Sequence, residues 1–296
     1  MLDDLSAPPV VSWLSDSEID SIESSSYWND EALEGDKAWY YPETALEYLR
    51  QGSNLERAFL DLLALAESRG HAPSGVCLDI AAGVCWTSGI AARDDRVSRV
   101  VAVDLSRHRL ARAPAMMEMY GTPAAKVQRV LGSFYDIRLP SASVDCMIMC
   151  QAYHHAADLD RLLKEMRRVL RPGGALLITG EEPVSLLLYR ARLWQAVRSV
   201  PVYLACEVVH ACRVSSRIPI LGSDRWRRRP PRRLSTKVQD LFPPDPESGD
   251  HMYLVRDYEG SLIAHGFETY VQRLSYPIHH ESRLCACNFL AVRGGQ

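Results

Sequence analysis

The chain has 296 residues, 47% of them hydrophobic, with a formal charge of −3 and a pI near 6.3. That length buries one sizeable core, or one core and a smaller cap, and the mild acidity points neither to nucleic acid nor to an anionic membrane. No apolar run approaches the roughly 20 residues that span a bilayer, and the acidic N-terminus, MLDDLSAPPVVSWL, lacks the basic start of a secretory signal. A cytoplasmic protein with neither a membrane nor a nucleic-acid partner is expected. The eight cysteines form no C-x-x-C pair, and several sit in strand-like apolar runs. They read as reduced, buried thiols, and no metal-ligand spacing is present.

Residues 1–26 are rich in Ser, Asp, Glu and Pro and read as loose at the start. Residues 27–52, YWNDEALEGDKAWYYPETALEYLRQG, are dense in aromatics. From Asn54, NLERAFLDLLALAESRG sets Leu55, Phe59, Leu62, Leu63 and Ala66 at helical spacing, with Gly70 to stop the helix. Strands and helices then alternate. VCLDIA (76–81) predicts a first strand, TSGIAARDD a helix, RVVAVDL (99–105) a second strand, and RHRLARAPAMMEMYG a helix interrupted at Pro114. KVQRVLGS (126–133) and VDCMIMC (144–150) predict strands three and four. LDRLLKEMRRVL (159–170) predicts a clean amphipathic helix, and an RPGG turn leads into ALLITGE (175–181), the fifth strand. Such a rhythm implies a parallel sheet with helices on both faces. It stops at Pro183. Residues 184–222 are apolar and helix-prone, RWRRRPPRR (225–233) is a basic run, and LFPPDPESGD reads as a loop. YLVRDYEGSLIAHGF predicts a last helix, and FETYVQRL and CNFLAVR an antiparallel closing pair at the sheet edge.

In an open sheet of this kind, ligands bind beyond the carboxyl ends of the strands. The residues there are Asp79, Ala81 and Gly83, then Asp104, 21 positions after Gly83, then Gly132, Ser133 and Phe134, then Gln151, Ala152, Tyr153, His154 and His155. Asp104 is placed to accept hydrogen bonds from ribose hydroxyls. A dinucleotide loop needs G-x-G-x-x-G, so that a pyrophosphate can approach backbone amides. Here those positions hold Ala81, Gly83 and Trp86, and the bulky Trp86 argues against NAD. S-adenosylmethionine carries no phosphate, and D-I-A-A-G-V-C suits it.

LDIAAGVCW, VVAVDLS, LGSFYDIRLPSASVDCMIMCQAYHH and EMRRVLRPGGALLITGEEP, in that order, resemble class I S-adenosylmethionine-dependent methyltransferases, and most of all the subgroup acting on small molecules. The resemblance covers residues 76–182, and GDHMYLVRDYEGSLIAHGF resembles the stretch before the family's last two strands. It implies that Asp79 and Gly83 shape the methionine end of the cofactor, Asp104 holds the ribose, Ser133 and Phe134 flank the adenine, and Gln151 and Ala152 lie under the sulfonium. Ala81 and Leu105 complete the expected cofactor set. The family's first motif usually carries glycine where Ala81 and Cys85 stand. These residues keep the space for a cofactor but forbid strongly glycine-only torsions.

The expected fold is α/β: a Rossmann-like, doubly wound, seven-stranded sheet, mostly parallel with an antiparallel last strand. An N-terminal helical lid (1–54), a cofactor-binding core (55–182), a helical substrate-cap insertion (183–250) and a closing helix with two strands (251–296) divide it. The expected activity is methyl transfer to an O, N or C atom of a small, specialised-metabolite or sugar-containing acceptor. Tyr153, His154 and His155 are the candidate catalytic groups, with His154 preferred as a base. Tyr27, Trp28, Trp39, Tyr40 and Glu181 are candidates for substrate binding, and the arginine run for a carboxylate- or phosphate-bearing substrate. No metal is expected. The apolar stretch after Pro183 suits a cap or a homodimer interface. Two other readings stay open: a non-methylating cyclisation or rearrangement that uses the sulfonium charge, and a non-catalytic binding partner.

Overall fold

The computed structural model describes residues 7–22, 25–31, 41–195, 238–246, 248–279 and 286–295. Its strands are β1 (Val11–Ser12), β2 (Gly75–Ile80), β3 (Val97–Asp104), β4 (Val127–Leu131), β5 (Val144–Cys150), β6 (Leu170–Glu181), β7 (Phe267–Arg273) and β8 (Cys287–Arg293). They form one eight-stranded sheet in the order β1-β4-β3-β2-β5-β6-β8-β7. Neighbours from β1 to β6 pair in parallel, and β8 runs antiparallel to both β6 and β7. The strand order reverses direction at β2, which opens a crevice over the carboxyl ends of β2 and β5.

Successive side chains of a strand point to opposite faces, and both faces are buried here. Cys77, Val100, Ala102, Ile148 and Leu177 pack on one face. Helices α4 (Leu55–Ser68), α5 (Trp86–Ala92) and α6 (Arg107–Met119) cover that face. Leu78, Ile80, Val101, Met147, Met149 and Ile178 pack on the other, under α7 (Leu159–Val169) and α10 (Val255–Ala264). In α4 the spacing foreseen from sequence buries Leu55, Phe59, Leu62 and Ala66, while Leu63 is half-buried. Phe59 and Leu62 are each worth roughly 1.5–3 kcal/mol of burial. In α7, Asp158 caps the start by accepting from the Arg161 amide at 2.9 Å, and Leu162, Leu163, Met166 and Val169 form its buried stripe.

Four details depart from the sequence expectation. The sheet has eight strands rather than seven, because Val11 and Ser12 pair with Val130 and Leu131. Residues 7–22 are correspondingly less loose than their composition suggests. Beyond β1, Ser15 caps α1 (Asp16–Asp20) in a reciprocal box with Glu18, whose carboxylate accepts from the Ser15 amide at 2.7 Å. Helix α6 runs straight through Pro114. RPGG is a bulge within β6 rather than a turn before it: Val144 pairs with Leu170, and pairing resumes at Cys146 with Ala175.

Short helices α2 (Ser25–Asn29) and α3 (Pro42–Glu47) follow the first strand. After β6 come α8 (186–195) and α9 (Val238–Leu241), with Val184, Tyr189, Val238 and Leu254 in a small cluster of their own. The arginine run at 225–233 and most of the apolar stretch before it lie outside the described residues, as do Trp39 and Tyr40. Cys77, Cys85, Cys146 and Cys150 are free thiols, all buried except the half-buried Cys150, and Cys287 is buried. Among the described residues no helix is long and apolar enough to cross a membrane.

Candidate functional site

A chamber of about 1250 Å³ lies over the carboxyl ends of β2 to β6. Single-ligand pockets measure roughly 300–1,000 Å³, so this one has room for two molecules side by side.

Its first half is built from the ends of β2, β3 and β4. The loop after β2 folds back on its neighbour: the Ala82 amide donates to the Val103 carbonyl at 3.1 Å, and the Gly83 amide to Asp104 Oδ2 at 2.7 Å. Asp104 Oδ1 accepts from the Ser106 amide at 2.7 Å, so one carboxylate ties the two loops together. Each oxygen keeps a lone pair, and Asp104 lines the chamber. Ala81 (φ 53°) and Cys85 (φ 59°) take the left-handed torsions that glycine adopts freely. For non-glycine residues this costs roughly 1–2 kcal/mol each. This mild left-handed region is open to Ala and Cys, so the loop keeps a glycine-type path with Gly83 as its one glycine. A Cβ on Gly83 would meet only Arg109, at 4.0 Å, so the loop leaves an open cradle. Leu105, Ser133 and Phe134 continue the wall. Ser133 Oγ accepts from the Tyr135 amide at 3.1 Å, and the Phe134 and Tyr135 rings meet edge to face at 4.5 Å.

Asp79 stands apart from this wall. It is fully buried, and Oδ2 accepts from Thr87 and Ser88 at 2.7 and 2.5 Å. Oδ1 is buried with no hydrogen-bond partner. Burial pushes its pKa up to about 6, against the pull of the Ser88 and Thr87 hydroxyls. Asp79 therefore shapes the loop from beneath, through α5, and does not face the chamber.

The second half is built from the ends of β5 and β6, the segment before α10, and the N-terminal helices. Glu181, at the end of β6, is fully buried. Its Oε1 accepts from the Ala152 and Tyr153 amides at 3.1 and 3.0 Å. Its Oε2 bonds His154 Nδ1 at 2.8 Å and accepts from the Tyr258 hydroxyl at 3.1 Å. A carboxylate only accepts, so Nδ1 of His154 carries the proton and Nε2 offers a lone pair. Burial disfavours the imidazolium, but the Glu181 charge and hydrogen bond outweigh it and hold the His154 pKa above its ordinary 6.5. Burial likewise opposes the Glu181 charge, and His154 with the Tyr153 amide brings its pKa below the ordinary value. His155 is 2.7 Å from Asp250 and packs edge-on to Trp28 at 4.8 Å. Burial lowers its pKa despite Asp250. Ligand atoms of His154, His155 and Asp250 lie within 4.8 Å of one another, close enough for a cation.

Several sequence candidates move. Tyr153 is fully buried with its hydroxyl 2.8 Å from Ser261 Oγ, away from the chamber wall. Glu181 is likewise off the wall and grips His154 instead of a substrate. His154, His155, Gln151, Tyr27 and Trp28 all line the chamber. Sequence reasoning missed Tyr48, Asp250 and His279, which line it too. It also missed Tyr258, which reaches Glu181. Tyr258 and Asp250 sit in the GDHMYLVRDYEG stretch that carried part of the resemblance. Nothing marks His279.

Residues 78–178 match the family model of the methyltransferase domain. An uncharacterized 37.1 kDa protein in transposon TN4556 of Streptomyces fradiae is 30% identical over 134 residues. That match covers 45% of this chain and 38% of the relative, so the chain spans well under half the length of the relative it matches. Among solved structures, a SAM-dependent methyltransferase from Leishmania major superposes with a TM-score of 0.55 at 14% identity, over 91% of this chain and 81% of that one. A putative S-adenosylmethionine-dependent methyltransferase from Listeria monocytogenes gives 0.50 at 15% identity, over 82% and 99%. The domain match places a methyltransferase domain at residues 78–178, and the superpositions show that the chain has the fold of these S-adenosylmethionine-dependent methyltransferases.

Proposed function

We propose that the protein moves a methyl group from S-adenosylmethionine to an oxygen, nitrogen or carbon atom of a small molecule, of the specialised-metabolite or sugar-containing kind. The cofactor would be held by Ala81, Gly83, Asp104, Leu105, Ser133, Phe134 and Gln151, and it supplies an electrophilic methyl on a sulfonium. The orientation of the two molecules then does most of the work. Trp28 covers the acceptor and excludes water. His154 takes the proton that an O–H or N–H acceptor loses, through the Nε2 that its bond to Glu181 leaves exposed. The observation that carries this reading is the juxtaposition in one chamber of a tied two-loop cradle and a carboxylate-backed histidine.

The test is incubation of the protein and small-molecule acceptors with cofactor carrying a ¹³C-labelled methyl group, followed by NMR. Label in a new product, with release of S-adenosylhomocysteine, is the expected result. Turnover of an acceptor with all label still on the cofactor would favour the non-methylating reading. Absence of any cofactor binding would favour the binding-partner reading.

A further inference from the structure

Among the described residues, the two arginines that line the chamber belong to the cofactor half, which also carries Asp104 and Asp136. The Arg109 side chain lies by the Gly83 loop with its guanidinium 5.0 Å from the Trp28 ring, and that of Arg161 lies 4.9 Å from the Tyr135 ring. The other half carries the carboxylates of Glu182, Asp245 and Asp250. Asp250 faces His155 at 2.7 Å, and Asp245 Oδ1 accepts from the Ser248 amide and hydroxyl at 2.9 and 3.1 Å. Glu182 is different. Its Oε1 is buried with no hydrogen-bond partner, and its Oε2 is 4.0 Å from His279 Nε2. A buried carboxylate oxygen without a donor is costly, and a ligand that brings an N–H removes the cost.

The surroundings suit a cation. Tyr48 and His279 stack with ring centroids 6.2 Å apart, and the Tyr48 hydroxyl lies 2.6 Å from His279 Nδ1. Gln151 Nε2 is 3.2 Å from His279 Nε2, which fixes that ring from its other edge. A carboxylate beside aromatic faces, with no arginine or lysine among the described residues of the corner, is the arrangement that takes up an ammonium group.

We propose that Glu182, framed by Tyr48, Gln151 and His279, is an ammonium-binding corner of the chamber. This rests on the methyltransferase reading and sharpens it. Two molecules could bring the ammonium: an amine-bearing acceptor, or the cofactor through its own amino group.

Calorimetric titrations of the full chain and of Glu182→Gln separate them. S-adenosylhomocysteine is titrated first, then tyramine and its neutral alcohol counterpart, tyrosol, into the loaded protein. An amine acceptor predicts tyramine at least ten-fold tighter than tyrosol in the wild type, with that preference lost in Glu182→Gln and S-adenosylhomocysteine unaffected. A cofactor contact predicts a ten-fold or greater loss of S-adenosylhomocysteine affinity in Glu182→Gln, with tyramine and tyrosol alike. No preference for tyramine and no change in S-adenosylhomocysteine affinity overturns the proposal. If the wild type binds no S-adenosylhomocysteine, the methyltransferase reading falls instead, and tyramine against tyrosol on the unloaded protein decides the corner. Glu182→Gln should melt no lower than wild type, since the buried oxygen has no partner to lose.

Discussion

The two halves of the chamber are put together in different ways. In the cofactor half the fixing contacts are local. Thr87 reaches Asp79 across 8 positions, Ser106 reaches Asp104 across 2, Gly83 reaches it across 21 and Gly132 across 28. In the acceptor half they are remote: His154 to Glu181 spans 27 positions, Tyr258 to Glu181 spans 77, Gln151 to His279 spans 128, and Tyr48 to His279 spans 231. A cradle of short-range contacts can be written in one motif. A wall assembled from five distant segments can vary piece by piece.

Substitutions in each half can break or sharpen that contrast. The largest effect is expected at the remote wall. His154→Ala should lower turnover of an O–H or N–H acceptor by about 10²- to 10⁴-fold, while S-adenosylhomocysteine affinity stays at the wild-type value. Equal losses in binding and turnover would move His154 into the cofactor half. Glu181→Gln should drop the His154 pKa, followed by NMR of its imidazole protons, from above 6.5 to below it, because burial, the largest influence, is then opposed only by the smaller pulls of Asp250 and Glu182. The sign for stability follows. A histidine with a raised folded pKa stabilises below its unfolded pKa and loses that contribution as pH rises through the folded value.

Asp79 comes next and belongs to the local half. Its folded pKa of about 6 lies above the ordinary 3.8, so ionising it destabilises the fold. Stability should fall as pH rises through that window, by about 3 kcal/mol at most. Asp79→Asn should be the more stable protein in denaturant melts at pH 7.5, and the difference should shrink towards pH 4. A difference independent of pH would mean that folding leaves the Asp79 pKa unshifted.

Asp104→Ala should weaken S-adenosylhomocysteine binding about ten-fold or more, through lost hydrogen bonds to a charged acceptor, with the loop amides of Gly83 and Ser106 released at the same time. Unchanged affinity in a folded variant would remove Asp104 from the site. The smallest effect is expected at Ala81→Gly, which relaxes a left-handed torsion and should stabilise by at most about 1 kcal/mol.

The same division explains what could be read beforehand. The five parallel strands, the closing pair and the positions along the strand ends follow from apolar periodicity and short loops, which are properties of neighbouring residues. The eighth strand is only two residues long, too short to show a pattern. Helix α6 keeps its course at Pro114 because tertiary packing holds Ala113, Met116 and Met117 in the core. Chain position puts Tyr153 beside His154, but the 3₁₀ turn at 153–155 sends the Tyr153 ring to Tyr258 and Ser261 while His154 lines the chamber. Glu181 and Glu182 are adjacent in sequence, yet the pleat buries one under His154 and leaves the other at the chamber. No local signal marks His279, because its role exists only once Tyr48 and Gln151 are beside it.

The most direct test of the account is calorimetric titration of the purified protein with S-adenosylmethionine and, separately, S-adenosylhomocysteine. Binding of both in the micromolar range is predicted, with Ala81 and Cys85 holding a working cofactor loop in left-handed torsions. A folded protein that binds neither would contradict it, and would mean that the loop after β2 has closed as a cofactor site.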